Sequence, residues 1–191
     1  MSVRFLTAVS GRAFNMRDRF GREIDYMRIS VIDSCNLNCY YCNPQDNDKK
    51  CQAINTLSVK KVFCIVRAAT RLGITHFRLT GGEPLLHPQI DEMVSQIKKI
   101  PGVRSVSLTT NAVLLAQHAK QLKEAGIDSI NVSLDTIDAS EYEHITKKPL
   151  LHKVEQGIDA AIECGIRVKI NAVLTPVSYT HLRAHETRSN L

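Results

Sequence analysis

The sequence has no apolar run near the ~18–20 residues that a bilayer-spanning helix needs, so no segment reads as a membrane span. Its first residues, MSVRFLTAVSGRA, lack the sustained apolar stretch of a secretory signal, and the chain reads as cytoplasmic. It also has no basic block and no stripe of lysine or arginine interleaved with aromatics. A formal charge of +6 without such a patch suits an anionic small molecule and excludes nucleic acid as the expected partner. A disulfide framework is missing too: of the six cysteines, three crowd together at Cys35, Cys39 and Cys42, while Cys51, Cys64 and Cys164 are scattered. In a chain without secretory features, that crowding points to metal ligation. Cys64 and Cys164 sit in apolar helical patterns and are expected to be buried thiols, and Cys51 lies in a polar loop.

With 191 residues, the chain can form one sizeable domain or part of a larger one. Strand-like runs cover 26–32, 75–80, 103–109, 128–134 and 167–173. Helical patterns lie between them, at 58–72, 88–100, 113–125 and 150–164; the first places Val59, Val62, Phe63, Val66 and Ala69 on one face. Asp138 with Glu141 reads as a capping box opening a further short helix. Gly73, Gly126 and Gly165 each end a helical pattern and are each followed by isoleucine and a strand. Glycine there can take the left-handed conformation that stops a helix. The alternation predicts parallel β/α units with right-handed crossovers. An open sheet and an incomplete barrel fit it equally well.

The main chemical signal is the C-x3-C-x2-C spacing of Cys35, Cys39 and Cys42, just after the first strand. Three thiolates can hold three irons of a [4Fe–4S] cubane and leave the fourth open to an outside ligand. A structural zinc site would want a fourth protein ligand. A second motif, Gly81-Gly82-Glu83-Pro84, closes the second strand. Its glycines allow close backbone approach, and Glu83 can bind a charged amine; taken alone, it could be only a stiff strand-to-helix turn. Polar residues recur at later strand ends: Thr109-Thr110-Asn111, Ser133 and Asp135, Lys169 and Asn171. Such residues face the ligand side in β/α barrels, although Asn111 and Asp135 individually also suit helix caps.

Cys35-x3-Cys39-x-Tyr41-Cys42 followed by Gly81-Gly82-Glu83-Pro84 resembles the radical S-adenosylmethionine enzymes. A narrower resemblance, carried by Asp18–Arg22, Arg28–Ser30, Arg78–Pro84, Thr109–Asn111, Asn131–Asp135 and Lys169–Asn171, is to the GTP 3′,8-cyclases of molybdenum-cofactor biosynthesis. It implies an α/β fold, a partial parallel (β/α) TIM-like barrel. It also implies a cluster on the three cysteines. S-adenosylmethionine would lie on Tyr41, Gly81, Gly82, Glu83, Pro84 and Ser133, and GTP on Arg28, Arg78, Thr109 and Lys169. Two arginines and a lysine suit a triphosphate, though each could instead serve a barrel-end ion pair. An external electron donor is implied, with no nucleic acid and no membrane, and a homodimer stays open.

Two departures carry further expectations. Ala112 stands where the family has glycine, so a local backbone change is expected there, alanine resisting positive φ. The family also holds a second [4Fe–4S] cluster on three C-terminal cysteines, and Cys51, Cys64 and Cys164 do not match them. Residues 1–15 read as an N-terminal extension, with Met16 an alternative start, and 16–175 as an incomplete core. Residues 177–187 resemble a translated transposase-type sequencing adapter, so 176–191 reads as a non-native tail and the second cluster is expected on missing sequence. Such a chain would start the chemistry without completing the cyclisation. Two other readings remain: a radical enzyme acting on a peptide or another small molecule, and a non-catalytic Fe–S or metal-stabilised domain that would not cleave S-adenosylmethionine.

Overall fold

A computed structural model describes residues 17–42 and 55–173. The N-terminal extension, Cys51 and the tail lie outside the described residues.

Five strands form one parallel sheet: β1 (Tyr26–Ser30), β2 (His76–Thr80), β3 (Ser105–Thr110), β4 (Ser129–Ser133) and β5 (Arg167–Asn171). Helices α1 (Val59–Arg71), α2 (Ile90–Lys98), α3 (Leu115–Glu124), α4 (Ala139–Thr146) and α5 (Leu151–Glu163) connect them. Each helix follows its hydrophobic period. In α1, Val62, Val66 and Ala69 are buried, while Val59 and Phe63 pack on the core from its margin. Cys64 is exposed, contrary to the expectation of a buried thiol. It lies two residues beyond Val62, about 200° around the helix, and so faces away from the buried stripe. Cys164, partly buried, packs against the core.

The glycine stops form as expected: Gly73, Gly126 and Gly165 have φ of 91°, 88° and 67°. At α4, the Asp138 side chain accepts from the Glu141 amide at 2.8 Å. The return half of the box is relayed through Thr136, whose hydroxyl accepts from the Asp138 amide at 3.1 Å and donates to Glu141 at 2.6 Å.

Strand order settles what periodicity left open. The sheet runs β1-β2-β3-β4-β5, so every crossover steps in the same direction. With right-handed crossovers, all helices then fall on one face, as in a barrel wall; a doubly wound sheet reverses direction. The outward side chains, including Phe77, Leu79, Val106, Leu108, Ile130 and Val132, are buried beneath the helices. Among the described residues, no helix is long and apolar enough to cross a membrane.

Candidate functional site

The inward face of the same strands is built from the alternate residues, and all of them are polar or aromatic. Register aligns Tyr26, His76 and Ser105 in one rung, and Arg28, Arg78, Ser107, Ser129 and Arg167 in the next. Thr109, Asn131 and Lys169 share a further rung, with Ser133 and Asn171 above it. None of these strand residues is acidic. Lower down, Asp25 meets His76, with 3.3 Å between carboxylate and ring.

A cavity of about 300 Å³ opens at the C-terminal ends of the strands. It gathers Cys35, Cys39, Cys42, Tyr41, Gly81, Gly82, Glu83, Thr109 and Ser133, residues from four strand ends. Pro84 does not line it but starts a buried 3₁₀ turn over Pro84–Leu86. Arg28 and Arg78 lie deeper on the strands and Lys169 is level with Thr109, all three outside its lining.

The cysteine loop is held from two sides. The Gly82 amide donates to the Ile32 carbonyl and the Glu83 amide to the Ser34 carbonyl, both at 2.8 Å. A Cβ on Gly81 would strike the Ile32 carbonyl oxygen, and one on Gly82 the Ser34 carbonyl oxygen. The close approach that these glycines permit is therefore to the chain leading into the cysteines. On the other side, the Asn38 and Tyr40 amides donate to the Thr146 and Ile145 carbonyls at 3.1 Å, using free carbonyls of the last turn of α4. Tyr142, Ile145 and Thr146 also line the cavity. Sequence reading missed this wall, since only the opening of α4 carried a signal.

Glu83 is 1% exposed, and burial pushes its carboxyl above the usual range against the hydrogen bonds that favour its charge. Those donors are the Leu85 amide (3.0 Å), the Thr110 hydroxyl (2.7 Å) and the Asn111 amide (2.8 Å). Glu83 thus fixes the end of β3, with acceptor capacity left on Oε2. The Tyr41 hydroxyl donates to Asp135 at 2.6 Å, and Asp135 accepts from the Val173 amide at 2.9 Å, tying the cysteine loop to the ends of β4 and β5. Burial and the Asp135 carboxylate raise the Tyr41 phenol far above its ordinary value.

Ala112 adopts φ 63°, so alanine here accepts the left-handed conformation instead of changing the backbone as expected. The Thr110 hydroxyl holds it by accepting from its amide at 2.9 Å.

The donor set, three thiols from one loop, fits an iron–sulfur cluster. Burial is the main reason that Cys35 is raised and that Cys39 is pushed up to about 11, with the neighbouring thiols adding to both. The thiols therefore share one space where a cation would relieve their repulsion. Three thiols lining one cavity match the three protein ligands of a cubane that leaves one iron open.

Comparison with known proteins agrees with this geometry. Residues 29–185 match the family described as the Radical SAM superfamily. A GTP 3′,8-cyclase from Pelotomaculum thermopropionicum is 43% identical over 160 residues, covering 83% of this chain and 49% of that protein. Molybdenum cofactor biosynthesis protein 1 from Homo sapiens is 39% identical over 160 residues, covering 83% of this chain and 25% of that protein. The chain thus spans about half the length of the bacterial relative and less of the human one. In fold, it is similar to native anSMEcpe with bound AdoMet and Cp18Cys peptide, at a TM-score of 0.66 and 21% identity over 83% of this chain and 45% of that one.

Proposed function

The chain belongs to the radical SAM superfamily, and we propose that it is the cluster- and cofactor-binding part of a GTP 3′,8-cyclase, converting GTP to (8S)-3′,8-cyclo-7,8-dihydroguanosine 5′-triphosphate for molybdenum-cofactor synthesis. The observation that carries this reading is the inward sheet face: Arg28, Arg78 and Lys169 stand on it without a strand carboxylate to neutralise them, directly below the cysteine cavity. When bound, the cluster on Cys35, Cys39 and Cys42 and S-adenosylmethionine would supply the radical chemistry needed to remove hydrogen at the ribose 3′ position. The protein's own part is binding, orientation and exclusion of water.

In this reading, Cys35, Cys39 and Cys42 hold the cluster. Tyr41, Gly81, Gly82, Glu83, Pro84 and Ser133 form the S-adenosylmethionine side: Tyr41, Gly81, Gly82, Glu83 and Ser133 at the cavity, and Pro84 through the turn that anchors Glu83. Thr109 stands between the two ligands, and the cations below draw the triphosphate inward, placing the ribose near the cavity mouth. An external electron donor, a cytoplasmic setting and a second [4Fe–4S] cluster on sequence outside this chain complete the proposal. Residues 16–175 are its core, and a homodimer is compatible with it.

The test is anaerobic reconstitution with iron and sulfide, then dithionite and S-adenosylmethionine, with and without GTP. The expected result is three-cysteine-dependent iron binding, cleavage to methionine and 5′-deoxyadenosine, and binding of GTP in preference to ATP. Cleavage with no nucleotide binding would leave a radical enzyme of another substrate class. Iron binding without cleavage would leave only a cluster domain. Cys39→Ala must keep its circular dichroism spectrum for its loss of iron to count.

A further inference from the structure

Arg167 entered neither the sequence reading nor the cavity lining, yet the register puts it on the most cationic rung of the sheet. That rung reads Arg28, Arg78, Ser107, Ser129, Arg167. Two arginines stand side by side at one end, a third stands at the other, and two serines form the floor between them. Like charges opposite one another on adjacent strands destabilise a sheet, and no strand carboxylate on this face offsets them. Val168, the next residue along β5, packs against the core on the outer face, so Arg167 projects inward with Lys169.

The floor is already oriented for a bridging anion. Arg78 Nε donates to the Ser107 hydroxyl at 3.2 Å, and its guanidinium carbon lies 5.3 Å from the Tyr26 ring centroid, so the side chain is pinned from both sides. Three strand spacings, about 14 Å, separate Arg78 from Arg167 at the backbone, and only short side chains stand between them. One rung above, Asn131 is 4% exposed. Its side-chain oxygen and the Thr109 hydroxyl have no hydrogen-bond partner among the described residues. Of the two, the Thr109 hydroxyl can donate to an anion, while the Asn131 oxygen accepts and suits a ligand hydroxyl beside it.

We infer that Arg167 contacts the terminal phosphate of the bound nucleotide across the serine floor, and that it makes the site discriminate triphosphates from diphosphates. The inference rests on the GTP reading above and adds a specificity-determining residue to it. A terminal phosphate carries about two negative charges near neutral pH, and a guanidinium can grip it with two parallel hydrogen bonds. On β5, Lys169 stands one rung nearer the cavity than Arg167, so a diphosphate that enters from the cavity and is held by Lys169 would stop a rung short of Arg167.

The experiment measures binding of GTP, GDP and inorganic tripolyphosphate to the full 191-residue chain by calorimetry, with Arg167→Ala and Arg167→Lys beside it. Arg167 is exposed at the start of β5, and melting curves check that each variant folds. The expected result is about a tenfold loss for GTP and tripolyphosphate in Arg167→Ala with GDP nearly unchanged. Arg167→Lys should recover part of that loss. Equal weakening of GTP and GDP, or none, would overturn the role of Arg167 and leave the GTP reading standing. If Arg167→Ala does not fold, Arg167→Lys carries the same decision, because a lysine that binds GTP and GDP in the wild-type ratio also overturns it. Failure of the wild-type chain to bind either GTP or tripolyphosphate would overturn both.

Discussion

The two faces of the five strands share one backbone and almost nothing else. Outward, Phe77, Leu79, Leu108, Ile130 and Val132 are wholly buried under helices. Inward, the residues between them are arginine, lysine, serine, threonine and asparagine around a cavity. Parity along a strand therefore separates what holds the fold from what binds ligand. Neighbouring positions in sequence should respond to mutation in opposite ways.

The largest expected effect is on the outer face. Phe77→Ala should cost about 3–5 kcal/mol by urea denaturation, from lost burial and the cavity left behind. On the inner face, Thr109→Val should change stability by less than about 0.5 kcal/mol, or raise it, because it removes a hydroxyl without a partner among the described residues. Comparable losses from both would break the comparison.

Gly82→Ala tests where the two sets meet. A new Cβ would collide with the Ser34 carbonyl, so the cysteine loop must move off the end of β2. A loss of about 3 kcal/mol is expected, together with reduced iron retention after reconstitution at an unchanged helical signal. Unchanged iron content would show that the loop is held by α4 alone.

A smaller effect than that of Gly82, and of opposite sign, sharpens the contrast from the other side. Ala112 holds φ 63° while fully buried, and Ala112→Gly should raise stability by about 1 kcal/mol, seen as a higher urea midpoint at constant slope. A fall would mean that the Ala112 methyl contributes more through packing than its backbone conformation costs.

Much of this was legible because its causes are local. Each strand, and each helix but α4, ended within three residues of its expected boundary, since glycine stops and apolar periods are written in adjacent residues. The cysteine spacing was legible for the same reason. Other features depended on partners far along the chain. The Glu83 carboxylate is occupied from Thr110 and Asn111, and Tyr41 reaches Asp135; neither pairing leaves a periodic trace. Cys64 misled because an apolar residue type was read as a buried position. Barrel and open sheet differ only in strand order, which hydrophobicity does not encode.

The sequential strand order also makes assembly a matter of timing. Each strand pairs with the one made just before it, so the wall can grow as the chain is synthesised. The cysteines leave the ribosome early, and the Gly82 and Glu83 amides that fasten their loop follow with β2. Asp135, the latch for Tyr41, arrives later, and its second partner at Val173 later still. At roughly 5–20 residues per second, the thiols wait on the order of ten seconds before the last wall of their cavity exists. A nascent chain thus holds its cysteine loop on the Gly82 and Glu83 amides before the Asp135 latch and β5 exist, and Cys35 and Cys42 stay exposed once the wall is complete.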